Sequence, residues 1–210
     1  MTLNDFLPYV QPELPGCPIP TIQARLGSVL DEFCRKTKCW TQWMEPVELF
    51  EGESEYETDA DSGALVYLLL SAACDGQRMH LSSEAEMRSN LQAWQLRSST
   101  RPTKCFMRAD GTLVVSPTPN ESGGLITGQL ALTPRRPVTR IDDQIAQHYI
   151  DGIASGVLAR LMAMPGTPWF QPTLVPYHEA RHTDAENAAL ANQAHGFAMS
   201  DVVVEPRRFI

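Results

Sequence analysis

The residues best equipped for chemistry are His178-Glu179-Ala180-Arg181-His182, which match H-E-x-x-H. On a helix, His178 and His182 share a face, Zn²⁺ could bridge them, and Glu179 could act as general base on a bound water. The surroundings argue against a zinc-dependent hydrolase. Arg181 occupies a spacer position that such enzymes keep uncharged, because that helix lies beneath the cleft. The extended pattern would need Gly and His further on, where the chain has Ala185 and Ala188. For a carboxylate ligand, Glu186 lies too near and Glu205 sits beside Pro206. The favoured reading is a polar helix face with two solvated histidines and neither catalytic residues, resident metal nor cofactor. A hydrolase using His178, Glu179 and His182 is kept as the alternative.

Other groups give less. Cys17, Cys34, Cys39, Cys74 and Cys105 are odd in number and form no C-x-x-C pair, which argues against a zinc ribbon and for free thiols. Cys34 and Cys39, five apart near a helix end, do not share a face well, so packing is favoured over redox chemistry. There is no G-x-S-x-G elbow and no P-loop; Gly123-Gly124 reads as a flexible connection. Glu51, Glu53, Glu55, Glu57, Asp59 and Asp61 form an acidic run without EF-hand spacing, read as a solvated hairpin or a channel-facing surface.

At 210 residues the chain can build one sizeable core or two small ones. A formal charge of −8 argues against a surface built to grip phosphate. Met1–Asp5 lacks the basic and apolar regions of a secretion signal, and the longest apolar run, Ala64–Leu70, is far short of the ~20 residues a membrane span needs.

Two helical regions bracket a strand-rich middle. Pro12, Pro15, Pro18 and Pro20 predict an extended, non-helical start. With Thr21 as N-cap, Ile22, Leu26, Val29, Leu30 and Phe33 then recur at helical spacing. From Val47 to Tyr56 the pattern predicts a strand, a turn at Gly52 and a second strand. Ala64–Ser71 predicts a buried strand, and Asp75-Gly76 and Asp110-Gly111 predict hairpins. Ser83 and Glu86 form a capping box for a short helix to about Ala93, and Leu125–Thr133 predicts another strand. Ile141, Ile145, Tyr149, Ile153, Val157, Leu161 and Met164 make one stripe of a long helix, in which Gly152 and Gly156 would admit a close neighbour. A last helix spans Thr173–Ala194. The expected fold is therefore α+β: a three-helix bundle from residues 1–45 and 134–199, an inserted antiparallel β-rich domain over 46–133, and an extended tail over 200–210.

Leu7-Pro8-Tyr9-Val10, Gly16-Cys17-Pro18, Phe33-Cys34-Arg35-Lys36-Thr37, Glu48–Tyr56, Asp110-Gly111-Thr112-Leu113, Pro117 with Pro119, Gly156–Met162 and Pro165-Gly166-Thr167-Pro168-Trp169 follow one another along nearly the whole chain. In this order and spacing they resemble the head–tail adaptor (connector) proteins of tailed bacteriophages, a group that includes tail tubular protein A. One position departs from that pattern: His182 stands where such a protein carries an apolar residue on its last helix.

The resemblance implies a virion structural protein without enzymatic activity, made in the host cytoplasm and placed at the neck. It would form a ring of roughly twelve copies beneath the portal, a heterologous contact that closes. Implied partners are the portal protein, tail or nozzle proteins and further copies of itself, with genomic DNA passing through unbound and no membrane. Trp40, Trp43, Trp94 and Trp169 are candidate contact anchors, two of them equally suited to the core. In the tail, Val202, Val203 and Val204 could add a strand to a portal edge, anchored by Arg207, Arg208 and Phe209. A generic minor capsid or assembly protein is the other non-enzymatic alternative.

Overall fold

A computed structural model describes residues 1–90 and 96–195, the side chains of residues 89 and 90 excepted. The N-terminal stretch is not extended. It winds through a 3-10 turn (Leu3–Phe6), the one-turn helix α1 (Leu7–Val10) and a second 3-10 turn (Gln11–Glu13) before α2 (Ile19–Thr37). Pro8, Pro12 and Pro20 permit this because they fall in first turns, where the missing N–H has no intrahelical partner to lose. Pro18, not Thr21, is the N-cap of α2. Ile22, Leu26, Val29, Leu30 and Phe33 are completely buried, as their spacing predicts.

Among the described residues eleven strands follow: β1 (Thr41–Trp43), β2 (Val47–Glu48), β3 (Glu55–Glu57), β4 (Ala64–Cys74), β5 (Gln77–Arg78), β6 (His80–Leu81), then α3 (Glu84–Asn90), β7 (Ser98–Ser99), β8 (Lys104–Met107), β9 (Thr112–Ser116), β10 (Thr118–Pro119) and β11 (Leu125–Pro134). The fold is α+β with largely antiparallel sheets. In the first sheet β11 is central: β1 and β2 flank one side, β4 the other, and β5 extends β4. The second sheet runs β3-β9-β8-β6, and β7 and β10 form a short parallel pair. Asp75 and Gly76, both at positive φ (47° and 78°), turn β4 into β5, the geometry a two-residue hairpin requires. Gly111 closes the β8–β9 hairpin as expected. The strand, turn and strand expected over Val47–Tyr56 are present as β2, Gly52 and β3; β2 joins β11 and β3 joins β9, so the turn passes the chain between sheets. Ser83 accepts from the Glu86 N–H at 3.1 Å and starts α3; the expected extension to Ala93 lies outside the described residues.

The chain closes with α4 (Asp143–Met162) and α5 (Val175–His195). Asp142 caps α4 by accepting from the N–H groups of Gln144 and Ile145. One apolar core runs from Phe6 through the helices and β11 to Ala189, so it is continuous across the boundary expected near residue 45. α2 is tied to β11 through Asp31, which is buried and accepts from Thr133, Arg35 (2.8 Å) and Arg136 (2.7 Å). Burial opposes its charge, but these three donors outweigh that and hold its carboxyl below the ordinary range.

α4 and α5 meet at glycines. A Cβ on Gly152 would lie 2.1 Å from the Ala185 Cβ, and one on Gly156 would lie 2.6 Å from the His182 ring. The four-residue glycine spacing therefore clears a notch for α5. Alanine at Gly152 would gain about 1 kcal/mol in helix propensity but overpack a contact neither backbone can leave, costing roughly 1–3 kcal/mol or more. We expect Gly152→Ala to lower the urea midpoint, and Gly152→Ala/Ala185→Gly to return it close to wild type.

Candidate functional site

The H-E-x-x-H stretch lies in the first turns of α5, and its histidines are not solvated. His178 is 2% exposed, with Nε2 3.7 Å from the Glu13 carboxylate and its ring edge-on to Tyr177. Its Nδ1 makes no hydrogen bond among the described residues. Burial pushes its pKa down, with Glu13 opposing, so the ring is neutral at pH 7. His182 donates from Nδ1 to the Gly152 carbonyl at 2.9 Å. Its ring stacks obliquely on Phe33, and Nε2 sits 3.5 Å from Glu186, which is buried and also paired with Lys36. The polar side chain at position 182 is thus accommodated by the carbonyl that the glycine notch supplies. Glu179 is exposed. Among the described residues no group of three or more His, Cys, Asp or Glu side chains is placed to hold a metal ion.

Cys34 and Cys39 lie close enough for their thiols to interact, and both are packed into or against the core, as expected. Lys38, at the C-terminus of α2, adopts a left-handed conformation (φ 54°) and folds Cys39 back over the last turn. The S–H of Cys34 holds the Cys39 thiol below its ordinary value, against burial and with help from Thr37, while Cys34 itself is pushed well up. Cys39 borders a cavity of about 360 Å³ with Trp40, Asp142, His148 and Tyr149. All five cysteines are free, and burial pushes Cys105 up to about 12.

Trp40 and Trp169 are core residues, whereas Trp43 on β1 is 71% exposed. Trp94 and the tail residues Val202, Val203, Val204, Arg207, Arg208 and Phe209 lie outside the described residues. Along the β1–β2 edge and the turn after it, Glu45, Glu48, Phe50, Glu51 and Glu53 are exposed as well, and these four carboxylates form no ion pair among the described residues.

Beyond β11, on the opposite side of that sheet, β4 exposes Leu65, Tyr67 and Leu68 into two adjoining depressions of about 890 and 410 Å³. Arg35 lies 4.7 Å over the Tyr67 ring and pairs with Asp31, Arg108 is held by a bidentate pair with Glu55, and Arg135 is exposed beside them, with Glu84 and Asp110 the carboxylates in the lining. The sequence reading missed this surface because its parts come from α2, β4, the β8–β9 hairpin and the residue after β11.

Compared with known proteins, the chain matches no family model and no curated protein sequence. No helix among the described residues is long and apolar enough to cross a membrane.

Iodoacetamide is expected to label Cys39 before the other four thiols at pH 7.5, read by peptide mass mapping. Cys34→Ala, which removes the donor, should move the pH profile of Cys39 alkylation upward. An unchanged profile would show that the thiol contact does not tune Cys39.

Proposed function

We propose that this chain is a structural head–tail adaptor of a tailed phage, one subunit of a ring beneath the portal that joins it to the tail and lines the DNA channel. The carrying observation is the pair of unlike exposed faces on opposite sides of β11, aromatic and acidic on one, apolar with paired charges of both signs on the other. A closed ring needs two different, complementary surfaces on every subunit. The residues best suited to chemistry support the same reading, because His178 and His182 are committed to inter-element contacts.

In this reading α2, α4 and α5 are a three-helix bundle and residues 46–133 its β-rich insertion. The net charge of −8 per copy repels phosphate where it faces the channel, so DNA passes without being held. Portal, tail or nozzle proteins and neighbouring copies are the partners, and the neck of the virion is the location. No substrate is transformed.

Pull-down on purified portal rings of the same phage tests the assignment. Wild type is expected to bind. Deleting Asp201–Ile210 should leave circular dichroism and thermal melting unchanged and abolish capture. Full retention by the truncated chain would refute the tail as the portal contact, and no capture of wild type would refute the adaptor reading.

A further inference from the structure

We propose that Cys34 and Cys39 are a dithiol site, which a small uncharged disulfide oxidises to an intramolecular Cys34–Cys39 disulfide by way of a mixed disulfide on Cys39. The inference stands on the end of α2 and does not depend on the adaptor reading.

Backbone geometry brings the pair together. A regular helix would turn residues five apart onto different faces. Lys38 breaks that rule. At φ 54° its N–H donates to the Cys34 carbonyl at 2.8 Å, the left-handed helix end in which the next residue folds back over the last turn. That next residue is Cys39, so the turn delivers one thiol to the other. Trp40 then fixes the chain from the far side, its carbonyl accepting from the Leu132 N–H of β11 at 2.8 Å. The segment carrying Cys39 is thus held at both ends.

Access sets the order of events. Cys34 is completely buried, whereas Cys39 is partly exposed on the wall of the 360 Å³ cavity. Asp61 and Asp142 on the same wall disfavour an anionic oxidant, which selects the uncharged class. Cys17, Cys74 and Cys105 are buried, and burial pushes each of them up, so thiolate is scarce there.

The thiolate is the attacking form, and the Cys34 contact holds Cys39 below its ordinary value. The Cys39 sulfur attacks RS–SR, forming Cys39–S–SR and releasing RS⁻. Cys34 is pushed up first by its contact with Cys39 and then by burial, and the first of these is relieved once Cys39 is no longer a thiolate. After giving its proton to water, the Cys34 sulfur attacks the Cys39 sulfur and expels the second RS⁻. Together the cysteines lose two protons and two electrons, and RS–SR takes them up as two RSH. The product clamps the end of α2 covalently to the chain entering β1.

Reduced full-length protein, freed of reductant, is exposed under native conditions to hydroxyethyl disulfide at pH 7.5, quenched with acid, denatured, alkylated and digested. Trypsin cuts after Arg35, Lys36 and Lys38, between the two cysteines, so their peptides stay joined only through a disulfide. Wild type is expected to lose two of its five alkylatable thiols and the mass of two hydrogen atoms, and to yield that joined pair with Cys17, Cys74 and Cys105 alkylated. Cys34→Ala should stop at a single hydroxyethylthio adduct on Cys39, and Cys39→Ala should leave Cys34 unreacted, each variant being checked by circular dichroism. The wild-type result decides without any variant. Five thiols still alkylatable, an adduct that accumulates on Cys39 without the joined peptides, or a linkage through another cysteine would each overturn the proposal.

Discussion

The close approach of α4 and α5 sets the geometry of the helical side of the molecule. Two glycines one turn apart remove the side chains that would hold the helices at ordinary separation, and Ala185 and His182 occupy the space. Once seated there, α5 brings Glu186 to Lys36 of α2 and Asn192 to the Tyr149 hydroxyl of α4. The α2 end is fixed in turn, and its left-handed terminal residue throws the chain into β1, the first partner of β11. The helical contact and the sheet are therefore parts of one packing arrangement, joined again by Asp31 reaching Thr133.

That coupling bears on function. β11 is flanked by an edge carrying Trp43 and by the long strand β4, and both flanks expose aromatic or aliphatic side chains. Surfaces of this kind, contiguous and rimmed by charge, mark sites of protein association. The groups most capable of chemistry are spent differently. The two imidazoles of the H-E-x-x-H stretch are packed into contacts with Glu13, Phe33, Gly152 and Glu186. The proposed connector role rests on these exposed faces and on the packing of the two imidazoles.

Much of the secondary structure was legible because local rules decided it. Apolar spacing from Ile22 to Phe33 and from Ile145 to Leu161 marked buried helix faces, and Asp-Gly pairs marked two hairpins. Gly152 and Gly156 announced a close helix neighbour, though only the fold could show that the neighbour brings a histidine. Other outcomes were set by long-range packing or a single backbone angle. Pro12 and Pro20 sit harmlessly in first turns, β2 and β3 separate into different sheets, and Lys38 at positive φ draws together two thiols that helical spacing keeps apart. The solvated histidines were misjudged for a related reason. Burial of His178 depends on Glu13 and the N-terminal turns, which are distant in sequence.

The central claim is that this chain exists to touch neighbouring copies and other virion parts. Imaging the neck of intact particles at side-chain resolution tests it most directly. The account predicts this polypeptide in a closed ring of about twelve copies between portal and tail. A resolved neck from which the chain is absent would contradict it.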